Sequence, residues 1–95
     1  MNRTQHNRVS SYQRTQEELA NSFTNMANEL MATATNKRQY LAEKGEEWAN
    51  TDKGQIITED LEVLDREAAA LLFVSGKARA LATYINDNIT LSNGQ

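Results

Sequence analysis

Cysteine and proline are both absent from this chain, and glycine occurs only four times. Without cysteine there is no disulfide framework and no thiolate to hold zinc or attack an electrophile, and folding is indifferent to the redox state of the compartment. Without proline, and with Gly45, Gly54, Gly76 and Gly94 isolated from one another, the chain has few helix breaks and no glycine-rich loop to cradle a phosphate or a dinucleotide. Histidine occurs once, as His6, with no acid near it in sequence. Neither a metal cluster nor a nucleophilic triad assembles around it, so a solvated residue is its expected role. No run of about 18 or more apolar residues occurs. The polar, basic residues 1–11 precede no apolar stretch of signal-peptide length. Neither a membrane span nor a secretory leader is therefore expected, and the cytoplasm is the expected location.

What is abundant is Ala, Glu, Leu, Lys, Arg, Gln and Asn, the composition of long helices. At 95 residues the expectation is one domain. A core this small, lacking disulfide or metal, leaves oligomerisation as the available stabiliser. The net charge of −3 is modest but unevenly placed. Residues 1–16 carry Arg3, Arg8 and Arg14 with no acid. Residues 43–67 carry Glu43, Glu46, Glu47, Asp52, Glu59, Asp60, Glu62, Asp65 and Glu67 against Lys44, Lys53 and Arg66.

Two apolar stripes follow helical spacing. The first runs through Val9, Tyr12, Leu19, Phe23, Met26, Leu30, Ala34, Leu41 and Trp48, with gaps of three, four or seven. It predicts a helix over about 10–48, with Ser10 or Ser11 as N-cap and with passage through Gly45 favoured over a stop there. Residues 49–56, with Asn50, Thr51, Asp52 and Gly54, read as the turn. The second stripe is Ile57, Leu61, Leu64, Ala68, Leu71, Ser75, Ala78, Ala82, Ile85 and Ile89, a sustained alternation of four and three. It predicts a helix over about 58–89 with Thr58 as N-cap and acids in the first turn. Residues 1–9 are expected to be a flexible basic segment and 91–95 a frayed tail. The fold expected is all-α: an antiparallel helical hairpin of two long helices, pairing into a four-helix-bundle dimer or higher oligomer. Residues 68–74 are apolar without a break, more than one neighbour covers, and Ala68, Ser75, Gly76, Ala78, Ala80 and Ala82 are small enough to admit a close helix backbone.

Chemistry-bearing candidates are few. Spaced acids between Glu43 and Glu67 read as solvated charge, and no catalytic, cofactor or metal residue is assigned. Arg8, Tyr12 and Arg14 are the candidate ligand-binding residues, because arginines bind phosphate or carboxylate and a tyrosine can stack on a base. Lys77 and Arg79 would join them at the open end. Lys37, Arg38 and Tyr40 form a second, smaller basic group, expected to be exposed. Trp48 is expected to cap the hairpin core beside the turn or to offer a hot spot to a partner. Trp48, Leu71, Leu72, Val74, Ser75, Ala78 and Leu81 are the candidate partner or oligomer interface.

The layout resembles the small secreted helical hairpins of the WXG type, which are similar in length and place Trp-x-Gly in the turn. Here Trp48 is followed by Ala49 and Asn50, without the glycine, and Tyr84 is followed four residues on by Asn88 rather than an acid. That family's export signal is not matched and membership is not assigned. The function expected is a non-enzymatic interaction module, a small oligomeric inhibitor or adaptor of the kind phages and mobile elements carry, binding copies of itself and a larger protein. Two alternatives stand beside it: an oligomer that sequesters a phosphorylated small molecule or nucleotide at a subunit interface, and a structural or secreted hairpin that assembles with itself. Nucleic acid is disfavoured as a partner by the acidic first half of the second helix.

Overall fold

The computed structural model describes residues 3–93, as three helices: α1 (Arg3–Lys44), α2 (Glu46–Ala49) and α3 (Asp52–Asn93). Helices α1 and α3 pack against each other as an antiparallel hairpin. The side chains of His6 and of residues 89–93, and all of residues 94–95, lie outside the described residues, as do the roles expected there for His6, Ile89 and the end of the tail.

Along α3 the sequence pattern and the structure coincide. Ile57, Leu61, Leu64, Ala68, Leu71, Ser75, Ala78, Ala82 and Ile85 are each buried or half-buried, and nearly every other described side chain from residue 55 to residue 88 is exposed. The 4–3 alternation is what keeps one face of a helix turned to a partner over several heptads. Along α1 the expected stripe is right at Val9, Phe23, Leu30, Ala34 and Leu41 and wrong at Tyr12, Leu19 and Met26. Val9, Gln13, Gln16, Ala20, Phe23, Ala27, Leu30, Ala34, Lys37 and Leu41 face inward, again alternating four and three. Tyr12, Leu19 and Met26, expected in the core, are 55%, 39% and 48% exposed. Each precedes a seam residue, and so sits about 100° around the helix from it. Gln13, Ala20 and Ala27 hold the inward positions instead, and the two alanines are small enough to let the backbones approach closely.

The helix ends also correct the sequence reading. Helix α1 begins at Arg3 rather than near Ser10. Residues 3–9 hold no glycine or proline, so once the seam nucleates the helix the preceding turns add at little cost. Helix α1 stops at Lys44 instead of running through Gly45, which adopts φ 93°, ψ 166°, a conformation that only glycine enters without strain. A single turn, α2, follows. Helix α3 starts at Asp52, six residues before the expected position. Thr51 rather than Thr58 caps it, its hydroxyl accepting the Gly54 N–H at 3.3 Å while its carbonyl accepts the Gln55 N–H at 2.9 Å. Thr58 lies inside the helix and donates back to the Gly54 carbonyl at 3.0 Å. Gly54 is thus a helical residue, and it is glycine for space: a Cβ there would meet the Ala49 carbonyl oxygen and lie 2.5 Å from the Trp48 carbonyl oxygen. Gly76, read as a point of close approach, has nothing within 4 Å of where a Cβ would stand.

By length and composition alone α3, over Asp52–Asn88, has one window long and apolar enough for a membrane span, and 22% of that window is buried. The sequence expectation, based on unbroken apolar runs, overlooked this because Lys77 and Arg79 interrupt the run.

The chain forms two compact units. The turn unit is Asn25–Leu71, and the terminal unit comprises the described residues of Met1–Thr24 and Leu72–Gln95.

In denaturant titrations at fixed chain concentration, Gly54→Ala is expected to destabilise the fold by about 2–4 kcal/mol through overpacking, and Gly45→Ala by about 1–2 kcal/mol through strain. Gly76→Ala, in open space on an exposed helical turn, is expected to stabilise by about 0.5–1 kcal/mol. Three equal shifts would contradict this account of the turn.

Candidate functional site

The largest fully buried side chain among the described residues is a serine, Ser75, 1% exposed. The rest of the fully inward set is mostly alanine: Ala20, Ala27, Ala34, Ala68, Ala78 and Ala82, with Leu61 the one large member. Only small side chains are almost fully enclosed; of the large inward ones Leu61 is buried, and Phe23, Leu30, Leu41, Ile57, Leu64, Leu71 and Ile85 are half-buried.

Where the exposed large ones lie follows from the seam. In an antiparallel pair, the residues one step after each seam position meet on one flank, and those one step before meet on the other. The forward flank is mostly polar, with Met31 and Leu72 its exposed apolar members. In the terminal unit Ser75 Oγ donates to the Ala20 carbonyl at 2.8 Å, lies 2.7 Å from Thr24 Oγ1 and accepts from Arg79 Nη1 at 3.2 Å. With the Ser75 proton committed to Ala20, the Thr24 hydroxyl is the donor, and Ser75 uses all its hydrogen-bonding capacity. Arg79 Nη2 donates to Asn21 Oδ1 at 3.2 Å. Beside them Glu17, Asn21, Arg79, Ala82 and Thr83 line an open groove of about 310 Å³. In the turn unit the same flank carries the Arg38–Asp65 ion pair, half exposed at both partners. No buried side-chain nitrogen or oxygen among the described residues lacks a hydrogen-bond partner.

The backward flank is apolar. In the terminal unit it carries Tyr12, Leu19, Val74, Leu81 and Tyr84; in the turn unit it carries Met26, Tyr40, Ile56 and Val63. These are nine of the twelve large apolar side chains left exposed, the others being Met31, Leu72 and Phe73. Leu81 is 44% exposed and Tyr84 66%. Scattered exposed apolar residues are ordinary, whereas within each unit these are concentrated at the positions that precede the seam.

The sequence candidates divide accordingly. Leu71, Ser75 and Ala78, assigned to a partner interface, are half-buried or buried in the chain's own seam. Leu72, Val74 and Leu81 are exposed, Val74 and Leu81 on the apolar flank. Trp48 is half-buried, edge-on to Tyr40 with ring centroids 5.5 Å apart, and the Lys44 ammonium sits 5.5 Å and 5.7 Å from the two ring centres. Arg8, Tyr12 and Arg14 are all exposed but do not converge. Tyr12 and Arg14 point about 200° apart around the helix, and Arg79, expected beside them, is engaged with Ser75 and Asn21. Lys77 stands over Phe73 at 5.3 Å. Of Lys37 and Arg38, expected to be exposed, Arg38 is exposed and Lys37 half-buried, and they reach across to Asp65 and, at 3.6 Å, to Asp60. Sequence reasoning missed Leu19, Met26, Val63 and Tyr84 as surface residues. The signal for the first two was present in Ala20, Ala27 and Ala34, spaced by seven.

No family model, curated protein or solved structure matches the chain.

Two substitutions test this seam by urea denaturation at fixed chain concentration. Ser75→Ala removes the hub of the polar cluster and is expected to cost about 1–2 kcal/mol. Ala20→Leu, opposite Ser75, is expected to cost about 2–4 kcal/mol by forcing the helices apart. A neutral Ala20→Leu would refute the close approach.

Proposed function

We propose that this protein is a non-enzymatic docking module, a small helical inhibitor or adaptor that acts by laying its apolar flank against another helical polypeptide. One observation carries the reading: the hairpin buries alanines and a serine while Leu19, Val74, Leu81 and Tyr84 of the terminal unit remain exposed on one side. Fully covering an exposed Leu, Val or Phe-sized side chain contributes about 1.5–3 kcal/mol, and covering these partly exposed ones contributes the corresponding fraction. The opposite flank has its polar groups already satisfied by one another, which favours a single docking side. A helical partner fits because rows at heptad spacing, such as Tyr12, Leu19 and Met26, accept the ridges of another helix.

Photo-crosslinking separates the flanks. A photoreactive side chain in place of Leu81 is expected to yield polypeptide adducts in cells, while the same group in place of Thr83, on the polar side, is expected to yield none. Equal yields at the two positions, or none at either, would sink the reading.

A further inference from the structure

We infer that the partner laid against the terminal unit is an acidic amphipathic helix, one whose apolar row is bracketed by carboxylates about two heptads apart. The inference rests on the docking reading above and names the chemistry of its partner. Every residue it uses belongs to the terminal unit. There the positions that precede the seam carry Arg8 and Lys77 and no acid, and both cations are exposed. Tyr12, Leu19, Leu81 and Tyr84 lie between them, exposed on the same flank. Among the described residues neither cation forms an ion pair within the chain. The Lys77 ammonium stands instead over the Phe73 ring, 5.3 Å from its centre.

The spacing follows from the hydrogen bond between Arg79 and Asn21. It sets Lys77 within one helical turn of the level of Asn21, and at about 1.5 Å per residue Arg8 then stands about 20 Å away along the helix axes of this unit. About two heptads of a partner helix span that length. Cations on the partner at those two points would meet Arg8 and Lys77 as like charges, whereas carboxylates there complement them. A lipid surface also attracts cations with apolar neighbours, but a helix that lies in a membrane interface carries its cations on the polar face. Here they stand in the apolar row itself, Arg8 in line with Tyr12 and Leu19 on α1, and Lys77 in line with Leu81 and Tyr84 on α3. A second helix whose own row runs acid, apolar, acid matches that order.

The test uses the full chain and three fluorescein-labelled model peptides, each about three heptads of alanine and glutamine with leucines in the a and d positions. The peptides differ only at two points about two heptads apart, which hold Glu in the first, Gln in the second and Lys in the third. Fluorescence anisotropy is expected to give the Glu peptide an affinity roughly threefold to tenfold above that of the Gln peptide, with the Lys peptide weakest. The ranking is expected to vanish in Arg8→Gln with Lys77→Gln, to invert in Arg8→Glu with Lys77→Glu, and to persist in Arg14→Gln, on the other flank, with helix content unchanged throughout. Equal affinities for the Glu and Gln peptides, with binding lost in Leu19→Glu with Leu81→Glu, overturn the acidic partner while the docking reading stands. Binding of none of the peptides overturns the inference, and the crosslinking yield at Leu81 then decides the docking reading by itself. Flotation with phosphatidylglycerol vesicles that Leu19→Glu with Leu81→Glu abolishes overturns the inference in favour of a lipid surface. Self-association in sedimentation equilibrium that the same pair abolishes overturns it in favour of a second copy.

Discussion

Close contact between two helix backbones is the constraint from which the rest of this structure follows. A seam whose fully inward members are alanine, serine and one leucine brings α1 and α3 together, and it leaves no volume between them for Tyr12, Leu19, Met26, Val74 or Leu81. Those side chains are displaced to the next row around each helix. The same choice limits stability, because an alanine buries little apolar area and the area term is the main favourable contribution to folding. Among the described residues, twelve large apolar side chains accordingly remain exposed.

The polar cluster around Ser75 shows how such an interface keeps its register. Alanine against alanine is nearly featureless, and sliding by a heptad would cost little in packing. Ser75 prevents the slide. Its hydroxyl reaches the Ala20 carbonyl across the interface, accepts from Thr24 and from Arg79, and is fully satisfied only in one alignment. A shift would leave a buried hydroxyl unpaired, at a cost of about 1–3 kcal/mol. In the turn unit the Arg38–Asp65 and Lys37–Asp60 pairs act in the same sense but more weakly, being exposed to solvent.

These features explain what the sequence disclosed. Helix α3 was legible down to individual residues, because from Ile57 to Ile85 its 4–3 alternation admits only one inward face. Helix α1 was legible as a helix, and in phase at Val9, Phe23, Leu30, Ala34 and Leu41. Large apolar residues usually mark the buried stripe, but Tyr12, Leu19 and Met26 each sit one step before a smaller or polar seam residue and so pointed to the wrong row. The turn was located, but its chemistry was misread. Gly45 and Gly54 both look like turn glycines in sequence, and only coordinates separate the one that needs a positive φ from the one that needs space against the Trp48 and Ala49 carbonyls. Of the candidate interface, Leu72, Val74 and Leu81 were recognisable as apolar surplus, whereas Leu71, Ser75 and Ala78 belong to the chain's own contact. The division of the hairpin into a polar flank and an apolar flank was not legible, since it requires both phases at once.

The placement of the single tryptophan gives the molecule an uneven optical signature. Trp48 lies in the turn unit, beside Tyr40 and under the Lys44 ammonium, and no other indole is present. Indole emission responds to its immediate polarity and to nearby cations, so it registers opening at the Gly45 break. The far ends of α1 and α3 can separate without altering it. Melting followed by fluorescence and melting followed by helical dichroism thus describe different parts of this chain, and any gap between the two curves measures how independently the parts come apart.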